Sequence, residues 1–391
     1  MSDRPTDPVR DDRAASDPDG PAWESPHAAG PPGGHGYGPS GGPPPTVVDG
    51  YPALPRVSYM SQDGNLPPLP LPTPPGPTGP GGPERSGTVR IGLWGAPRSG
   101  KTTFLSSLPI AAIQHARHGK GSWVISGMTP EANDYLNRGV RLLAVDRGFP
   151  DATVGVQGMS WSFQGEEPRM IGGTRQVGFV LDIHDVSGES FLPEHPQHAM
   201  IVSQLAAAGG IVYLFDPLLD RERATQSLEF FYATLNAITS QVRDRRGMAG
   251  GRLPHHVAVC VAKFDDPELF RPSVEAHWVT QDGVGARIPR VPAEHAAGYF
   301  AWICDTFRGS TAALVRDALH TYFHPNRITY YATSAIGFRL NPDGIFDYRF
   351  FANVQDVGGQ PQIATAPHPI NVLEPLIDLE RRIRTRRIKV R

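Results

Sequence analysis

The chain has 391 residues, and its 37 lysine and arginine residues against 39 aspartate and glutamate residues give a formal net charge of −2 at pH 7. This balance argues against general nucleic-acid binding through a broad basic face. The two cysteines lie in apolar sequence and the chain starts without the apolar stretch of a signal peptide, so we expect a cytoplasmic protein without disulfides.

Proline and glycine dominate the first 86 residues. Of the 41 prolines, 22 precede Thr88, and a segment with so few apolar residues cannot bury enough surface to offset the entropy of ordering it. We therefore predict a disordered arm over residues 1–86, followed by one folded domain over residues 87–391. Within the arm, residues 66–80 favour polyproline II, which suits either a stiff spacer or a ligand for an aromatic-lined groove.

A phosphate-binding loop follows the first predicted strand. An apolar run leads into GAPRSGKT at residues 95–102, the GxxxxGKT pattern, and then into a predicted helix. Gly95 and Gly100 let the backbone bend so that successive N–H groups converge on phosphate oxygens. Lys101 then reaches the β- and γ-phosphates, and the Thr102 hydroxyl ligates Mg²⁺. The pattern predicts a nucleoside triphosphate site.

Three further residues of this region complete the predicted contacts. Ser99 and Thr103 lie on either side of the lysine and are expected to bind the phosphates with it. Arg98 either lies over the phosphates as a charge stabiliser or points into solvent.

Strands and helices alternate along the rest of the chain, which indicates a mostly parallel sheet with helices on both faces. The predicted strands are residues 122–127, 158–164, 177–185, 210–216, 257–262 and 327–332. The predicted helices are residues 102–116, 130–148, 225–246 and 369–386, with one or two more within 293–323. Insertions are expected at about 117–150, 266–323 and 338–368, with a loop-rich stretch at 266–292 and a hairpin at 338–351. The apolar run at 200–215 is too short to span a bilayer, and we expect no transmembrane segment.

The residues that follow parallel strands gather at one edge of a sheet, where nucleotides bind. Residues 185–188, DVSG, match the DxxG pattern. In that pattern the Asp185 carboxylate holds a Mg²⁺-bound water, and the N–H group of Gly188 senses the γ-phosphate.

Two further strand-end motifs predict recognition of guanine. Residues 262–265, AKFD, resemble the N/TKxD motif: the Asp265 carboxylate accepts the N1–H and N2 amino groups of guanine, and the stem of Lys263 lies over the ring plane. Residues 333–337, TSAIG, resemble the motif in which a backbone N–H contacts guanine O6, and this assigns Ser334 and Ala335 to the base site.

With these motifs in order, the chain resembles the translation-factor-like (TRAFAC) class of P-loop GTPases over residues 88–386. More narrowly, residues 334–337 and 369–376 resemble the bacterial double-GTPase family. The resemblance implies a Ras-like mixed sheet with one antiparallel edge strand, here residues 158–164, and GTP or GDP with Mg²⁺ as the bound species. It also implies a protein partner, a second GTPase, in a multi-gene defence or conflict system.

Three positions depart from the pattern of that class or leave its roles open. Ala262 stands where the class has Asn or Thr, so a side chain that ties the guanine loop to the phosphate loop is missing. Glu189 occupies the place of the Gln that orients the attacking water, which predicts slow hydrolysis, or else it is a surface residue without a catalytic role. Thr153 is either the switch threonine that completes the Mg²⁺ shell or an ordinary loop residue.

Two groups of charged or metal-binding side chains allow more than one interpretation. His184, Glu194, His195 and His198 have no familiar ligand spacing, and we expect His195 and His198 on a loop rather than in a zinc site. The basic C-terminus, residues 381–391, is either a solvated helix end or a contact for anionic lipid or an acidic partner.

The sequence therefore predicts a cytoplasmic bacterial switch protein that binds GTP and hydrolyses it to GDP and phosphate, slowly or with a partner's help, in signalling or defence. A scaffold that senses the nucleotide without hydrolysing it is the alternative. Asp265 disfavours a third class, a P-loop ATPase.

Overall fold

The computed structural model describes residues 89–117, 121–151, 156–168, 172–186, 198–219, 225–283, 285–307 and 310–389. The predicted N-terminal arm, residues 1–86, lies outside these ranges, as do Thr153, Gly188 and Glu189.

Seven strands form one mixed sheet. In the spatial order β2-β3-β4-β1-β5-β6-β9, the strands from β4 to β9 run parallel, and β3 runs antiparallel to both of its neighbours. Their bounds are β1 Arg90–Gly95, β2 Ser122–Gly127, β3 Val156–Pro168, β4 Thr174–Val186, β5 Gly210–Phe215, β6 His256–Val261 and β9 Ile328–Ala332. This is the mostly parallel P-loop fold predicted from the sequence.

The antiparallel strand β3 is not the outermost strand, where the sequence analysis placed it. Strand β2 pairs with it along Ser122–Gly127 and forms the edge of the sheet. The pairing buries Trp123 against Gly165, where an added Cβ would lie 2.4 Å from the indole ring. The same indole contacts Phe179 of β4, with ring centroids 5.7 Å apart. Burial of this large side chain explains why β2 adds to the sheet.

Helices cover both faces of the sheet. Strands β5 and β6 are buried at every position, as expected for parallel strands covered on both sides. On β1, Trp94 and Leu93 pack into different apolar cores, one on each face of the sheet. The helices are α1 Lys101–Arg117, α2 Pro130–Ala144, α3 His198–Ala207, α4 Gln226–Asp244, α5 Pro267–Glu275, α6 Ala296–Thr306, α7 Ser310–Tyr322 and α8 Glu374–Lys389.

Helix α5, which was not predicted, lies inside the stretch expected to be loop-rich. The helix begins like α2, with a capping side chain followed by proline. Thr129 Oγ1 accepts a hydrogen bond from the Ala132 N–H at 3.3 Å, and Asp266 Oδ1 accepts one from the Glu268 N–H at 2.9 Å. Both caps satisfy N–H groups that a helix start leaves without a partner. The remainder of the stretch contains a short pair, β7 Thr280–Gln281 and β8 Pro289–Arg290.

The C-terminal stretch also differs from its prediction. The expected hairpin at 338–351 is a single antiparallel bridge between Leu340 and Phe346. A regular hairpin follows it instead, with β10 Val354–Val357 paired to β11 Gln360–Ile363. Helix α8 begins at Glu374 and not at Pro369.

A backbone pairing explains the late start of α8. His368 N–H donates to the Ile336 carbonyl at 2.8 Å, and Ile370 N–H donates to the Ser334 carbonyl at the same distance. Residues 368–370 are therefore extended beside the TSAIG segment. Gly337 has φ +67° there, and a Cβ at this position would lie 1.9 Å from the His368 carbonyl oxygen.

The apolar run at 200–215 is divided between α3 and β5. No helix among the described residues combines the length and the hydropathy needed to cross a membrane. His198 is the first residue of α3, so its predicted place on a loop was wrong, and His195 lies outside the described ranges. Cys260 and Cys304 are buried and form no disulfide.

We expect Gly337→Ala to destabilise the fold much more than Gly344→Ala. Both glycines have positive φ, +67° and +73°, but an added Cβ at position 344 meets nothing within 4 Å. Gly344→Ala should cost about 1 kcal/mol in the free energy of unfolding through backbone strain alone. Gly337→Ala must also displace the His368 backbone, which should add at least about 2 kcal/mol. Urea unfolding of the two variants measures the difference, and equal costs would contradict the close approach.

Candidate functional site

The loop between β1 and α1 contains two residues in the left-handed region. Arg98 has φ +62° and Gly100 has φ +88°. Ser99 N–H donates to the Ala96 carbonyl at 3.2 Å and closes the turn. Nothing lies within 4 Å of where a Cβ on Gly100 would stand, so the loop is open on that side. Successive N–H groups in such a turn form a concave anion site.

Lys101 is the first residue of α1 and crosses the loop. Its side chain is buried, with the residue only 6% exposed, and its ammonium donates to the carbonyls of Gly95 and Ala96 at 2.9 Å each. Thr102 and Thr103 follow in the first turn of α1 and are half-buried. The ammonium and the positive end of the helix dipole therefore lie together at the loop. Arg98 is exposed, and both of its predicted roles stay predictions.

Ser99 carries the clearest mark of an incomplete site. Its hydroxyl is buried, and no hydrogen-bond partner for it exists in the part of the chain that the structure describes. The hydroxyl lies beside Gly95, where an added Cβ would stand 2.7 Å from it. Buried polar atoms are nearly always hydrogen-bonded, so a ligand oxygen at this loop would satisfy an existing need.

The loop after β6 is fixed between the ends of two neighbouring strands. Ala262 N–H donates to the Phe215 carbonyl at 2.8 Å, and Phe264 N–H donates to the Thr333 carbonyl at 3.0 Å. These bonds hold the AKFD segment against the ends of β5 and β9. The parallel sheet thus brings the predicted AKFD and TSAIG motifs together, as the sequence analysis expected.

The Asp265 carboxylate is buried and accepts a hydrogen bond from the Ser334 hydroxyl. Ser334 Oγ in turn accepts the Gly337 N–H at 2.7 Å. Burial raises the pKa of Asp265 to about 6, and the bond from Ser334 opposes this rise. The carboxylate is therefore mainly ionised at neutral pH. Ala335, which follows Ser334 in the sequence, is half-exposed.

The side chain of Phe264 anchors the AKFD loop to the apolar core. This residue lies between the two charged residues of the segment. Its ring is fully buried and lies 5.7 Å from the ring of Phe270 in α5, 6.1 Å from Tyr299 in α6 and 5.7 Å from Phe338. No role for Phe264 was predicted. An aromatic side chain flanked by Lys263 and Asp265 was the available signal.

Asp216 is the second residue that the sequence analysis missed. It directly follows β5, its side chain has no exposed area, and its Oδ2 lies 2.7 Å from the Lys263 ammonium. Its Oδ1 accepts the Leu218 N–H at 2.9 Å. The signal in the sequence was a carboxylate at the end of a wholly apolar strand, the same signal that had selected Asp185.

Two of the predicted metal ligands, Thr102 in the first turn of α1 and Asp185 in β4, belong to elements at adjacent strand ends. Parallel pairing matches Gly92 of β1 with Asp182 of β4, and Asp185 stands three residues further along β4, as Gly95 does along β1. The end of β4 is therefore at the same edge of the sheet as the phosphate loop and Thr102. A hydroxyl and a carboxylate are oxygen donors of the kind that Mg²⁺ prefers. Thr153, Gly188 and Glu189 lie outside the described ranges.

A separate cleft of about 630 Å³ opens between the end of α1 and the stretch from 339 to 368. Its lining includes Gln114, Arg117, Arg339 and Phe350, and it contains none of the predicted nucleotide-binding residues. The candidate site is therefore the edge of the sheet and not this cleft.

Comparison with known proteins adds little to this geometry. Neither a protein family nor a curated protein sequence matches the chain. A solved structure from Plasmodium falciparum, described as nucleolar GTP-binding protein 1, is similar over 78% of this chain and 91% of its own, with 11% identity and a TM-score of 0.32. The GDP-bound RocCORdC structure of Methanosarcina barkeri Roco2 is similar over 49% of this chain and 40% of its own, with 14% identity and a TM-score of 0.19.

The raised pKa of Asp265 predicts how stability depends on pH without nucleotide. Aspartate in an unfolded chain has a pKa of about 3.9, so the folded protein, with a pKa of about 6 at this group, binds the proton more tightly. Relative to Asp265→Asn, the wild-type protein should gain about 1 kcal/mol of stability as the pH falls from 7 to 5. Urea unfolding of both proteins at the two pH values measures this gain. A difference that does not change with pH would contradict the buried, ionisable carboxylate.

Proposed function

We propose that the protein is a switch that binds GTP with Mg²⁺ and hydrolyses it to GDP and phosphate. The observation that supports this most is the contact between Asp265 and Ser334 at the sheet edge that also carries the phosphate loop. One edge thus combines an anion-binding turn with a buried carboxylate, the two chemistries that a guanine nucleotide needs.

The phosphate half of the site rests on the β1–α1 loop. The open side at Gly100, the buried Ser99 hydroxyl and the Lys101 ammonium all fit a bound phosphate chain. For Lys101 to reach a phosphate oxygen, its bonds to the Gly95 and Ala96 carbonyls must be exchanged for bonds to the ligand. A charged acceptor makes the stronger bond, so this exchange favours binding.

The base half rests on hydrogen-bond complementarity. Guanine presents two donors, N1–H and the N2 amino group, to an acceptor-only carboxylate. Adenine has an acceptor at N1 and no amino group at C2, so it would leave the buried Asp265 carboxylate without these donors. An unsatisfied buried charge is costly, which favours GTP over ATP.

Thr102 and Asp185 would hold Mg²⁺ directly or through water, and the bound ion supplies positive charge against the β- and γ-phosphates. We assign Gly188 and Thr153 to sensing of the γ-phosphate and Glu189 to the position beside the attacking water. A carboxylate there is repelled by the γ-phosphate, and this supports slow hydrolysis that a partner accelerates.

The resemblance in sequence supports a finer assignment. We propose that the chain is a TRAFAC-class GTPase of the double-GTPase kind, working with a second GTPase in a bacterial signalling or defence system. Its folded part would comprise residues 87–391, with the N-terminal arm and the basic C-terminus available to partners.

Asp265→Asn should change the base preference from guanine to xanthine. Xanthine carries a carbonyl at C2 where guanine carries an amino group, and the asparagine amide offers the donor that this carbonyl needs. The affinity for mant-GTP should fall by about 100-fold or more, and mant-XTP should bind better than mant-GTP. Fluorescence titration measures both affinities.

Asp266→Asn is the matched control for this exchange. It removes the adjacent carboxylate, while asparagine preserves the cap of α5, so the base preference should not change. Equal affinities of the wild-type protein for mant-GTP and mant-ATP, unaltered by Asp265→Asn, would refute the assignment of guanine.

Lys101→Ala should lower GTP affinity by about 100-fold, because a charge-assisted contact with the phosphates is lost. Arg117→Ala removes an exposed cation at the other end of the same helix and should change affinity by less than about twofold.

With stoichiometric GTP, we expect the wild-type protein to release phosphate on the order of 10⁻³ s⁻¹ or more slowly. Tight binding without any release would support the nucleotide-sensing scaffold instead.

A further inference from the structure

An ion pair joins the base loop to the end of β5. The Lys263 ammonium lies 2.7 Å from Asp216 Oδ2, and the two side chains differ sharply in exposure, 42% for lysine and none for aspartate. Lys263 has φ +58°, the left-handed region that a residue with a side chain seldom adopts. This backbone conformation accompanies a side chain that reaches back toward the neighbouring strand.

Asp216 stands between the two halves of the proposed site. Leu214 of β5 pairs with Gly95, the first residue of the phosphate loop, and Phe215 pairs with Val261, directly before the base loop. The residue that follows Phe215 therefore lies where both loops begin. Its Oδ1 is fixed by the Leu218 N–H, which sets the direction of the carboxylate.

The base loop lacks a side chain that would tie it to the phosphate loop. Position 262 is a buried alanine, so only its backbone N–H, bonded to the Phe215 carbonyl, holds this end of the loop. One backbone bond does not restrain the long, flexible side chain of the next residue, Lys263. The Asp216 carboxylate provides that restraint.

We propose that Asp216 is a positioning residue for the base: it holds the Lys263 ammonium so that the lysine stem forms one wall of the base pocket and Asp265 keeps its direction. The inference rests on the proposed guanine-nucleotide function. Without Asp216, the lysine must be ordered when the nucleotide binds, and the entropic cost lowers affinity. Without Lys263, the buried carboxylate loses its ammonium partner beside the phosphate site, which is unfavourable for an anionic ligand.

A carboxylate after an apolar strand could instead be a metal ligand. The geometry favours positioning, because one carboxylate oxygen contacts the ammonium and the other accepts a backbone N–H. The two roles make different predictions. A metal ligand alters the Mg²⁺ requirement for every base, whereas a positioning residue alters discrimination between bases.

The test compares the full-length wild-type protein with Asp216→Asn, Lys263→Met and the double variant. The release rates of mant-GTP and mant-ITP are measured over a range of Mg²⁺ concentrations. Inosine lacks the 2-amino group, so the ratio of the two rates reports how well Asp265 is aligned. Asp305→Asn is the matched control, because it breaks an exposed ion pair with Arg316 of the same 2.7 Å length.

Each single variant should release mant-GTP about tenfold faster than the wild-type protein. The double variant should release it no faster than the faster of the two single variants, because both substitutions remove the same ion pair. The discrimination between GTP and ITP should fall in all three, while the Mg²⁺ concentration for half-maximal retention stays unchanged. A general loss of structure would speed the release of both nucleotides equally and leave their ratio as it was.

Three results would overturn the inference alone: unchanged release in Asp216→Asn, additive effects in the double variant, or a raised Mg²⁺ requirement with the base ratio intact. Absence of mant-GTP binding to the wild-type protein would overturn the proposed function and this inference with it. An effect of Asp305→Asn equal to that of Asp216→Asn would also count against a specific role.

Discussion

Parallel pairing of β4, β1, β5, β6 and β9 brings the ends of these strands to one edge of the sheet, and the described residues of the proposed site depend on it. The register matches Gly95 with Leu214, Phe215 with Val261, and Val261 with Ala332. Two apolar cores fix that register, because alternate residues of each strand are buried on opposite faces. A slip of one residue would exchange the faces and move a loop by about 3.3 Å.

At this edge of the sheet, a bound ligand can stabilise the ionised Asp265 carboxylate further. Burial raises its pKa, yet at a pKa of about 6 the group remains mainly ionised at neutral pH. The Ser334 hydroxyl donates one hydrogen bond to it, while the same oxygen accepts the Gly337 N–H. Further donors would stabilise the charged form. The free energy that burial costs this carboxylate is thus recoverable on binding, which is one physical basis for base selectivity.

Local signals in the sequence predicted most of the fold and the phosphate loop, and pairings between distant segments account for what it missed. Apolar runs defined the strands, and the Thr129 cap defined α2. The place of β2 outside β3 depends on Trp123 covering Gly165, 42 residues away in sequence, and no local pattern reports that contact. The late start of α8 likewise results from pairing of residues 368–370 with 334–336. Helix α5 is an exception, because its N-cap residue, Asp266, could have been recognised from the sequence alone. The role of Asp216 could be inferred only from its ion pair with Lys263.

The two halves of the site differ in how they are supported. The phosphate loop is part of the β1–α1 connection, and α1 contacts the stretch after β9 at its far end, where Gln114 Nε2 donates to the Pro367 carbonyl at 2.9 Å. The base loop also depends on the stretch after β9: Phe338 packs on Phe264, and the Asn371 amide donates to the Ala332 carbonyl at 2.8 Å. Loss of these contacts would remove direct support from the base loop.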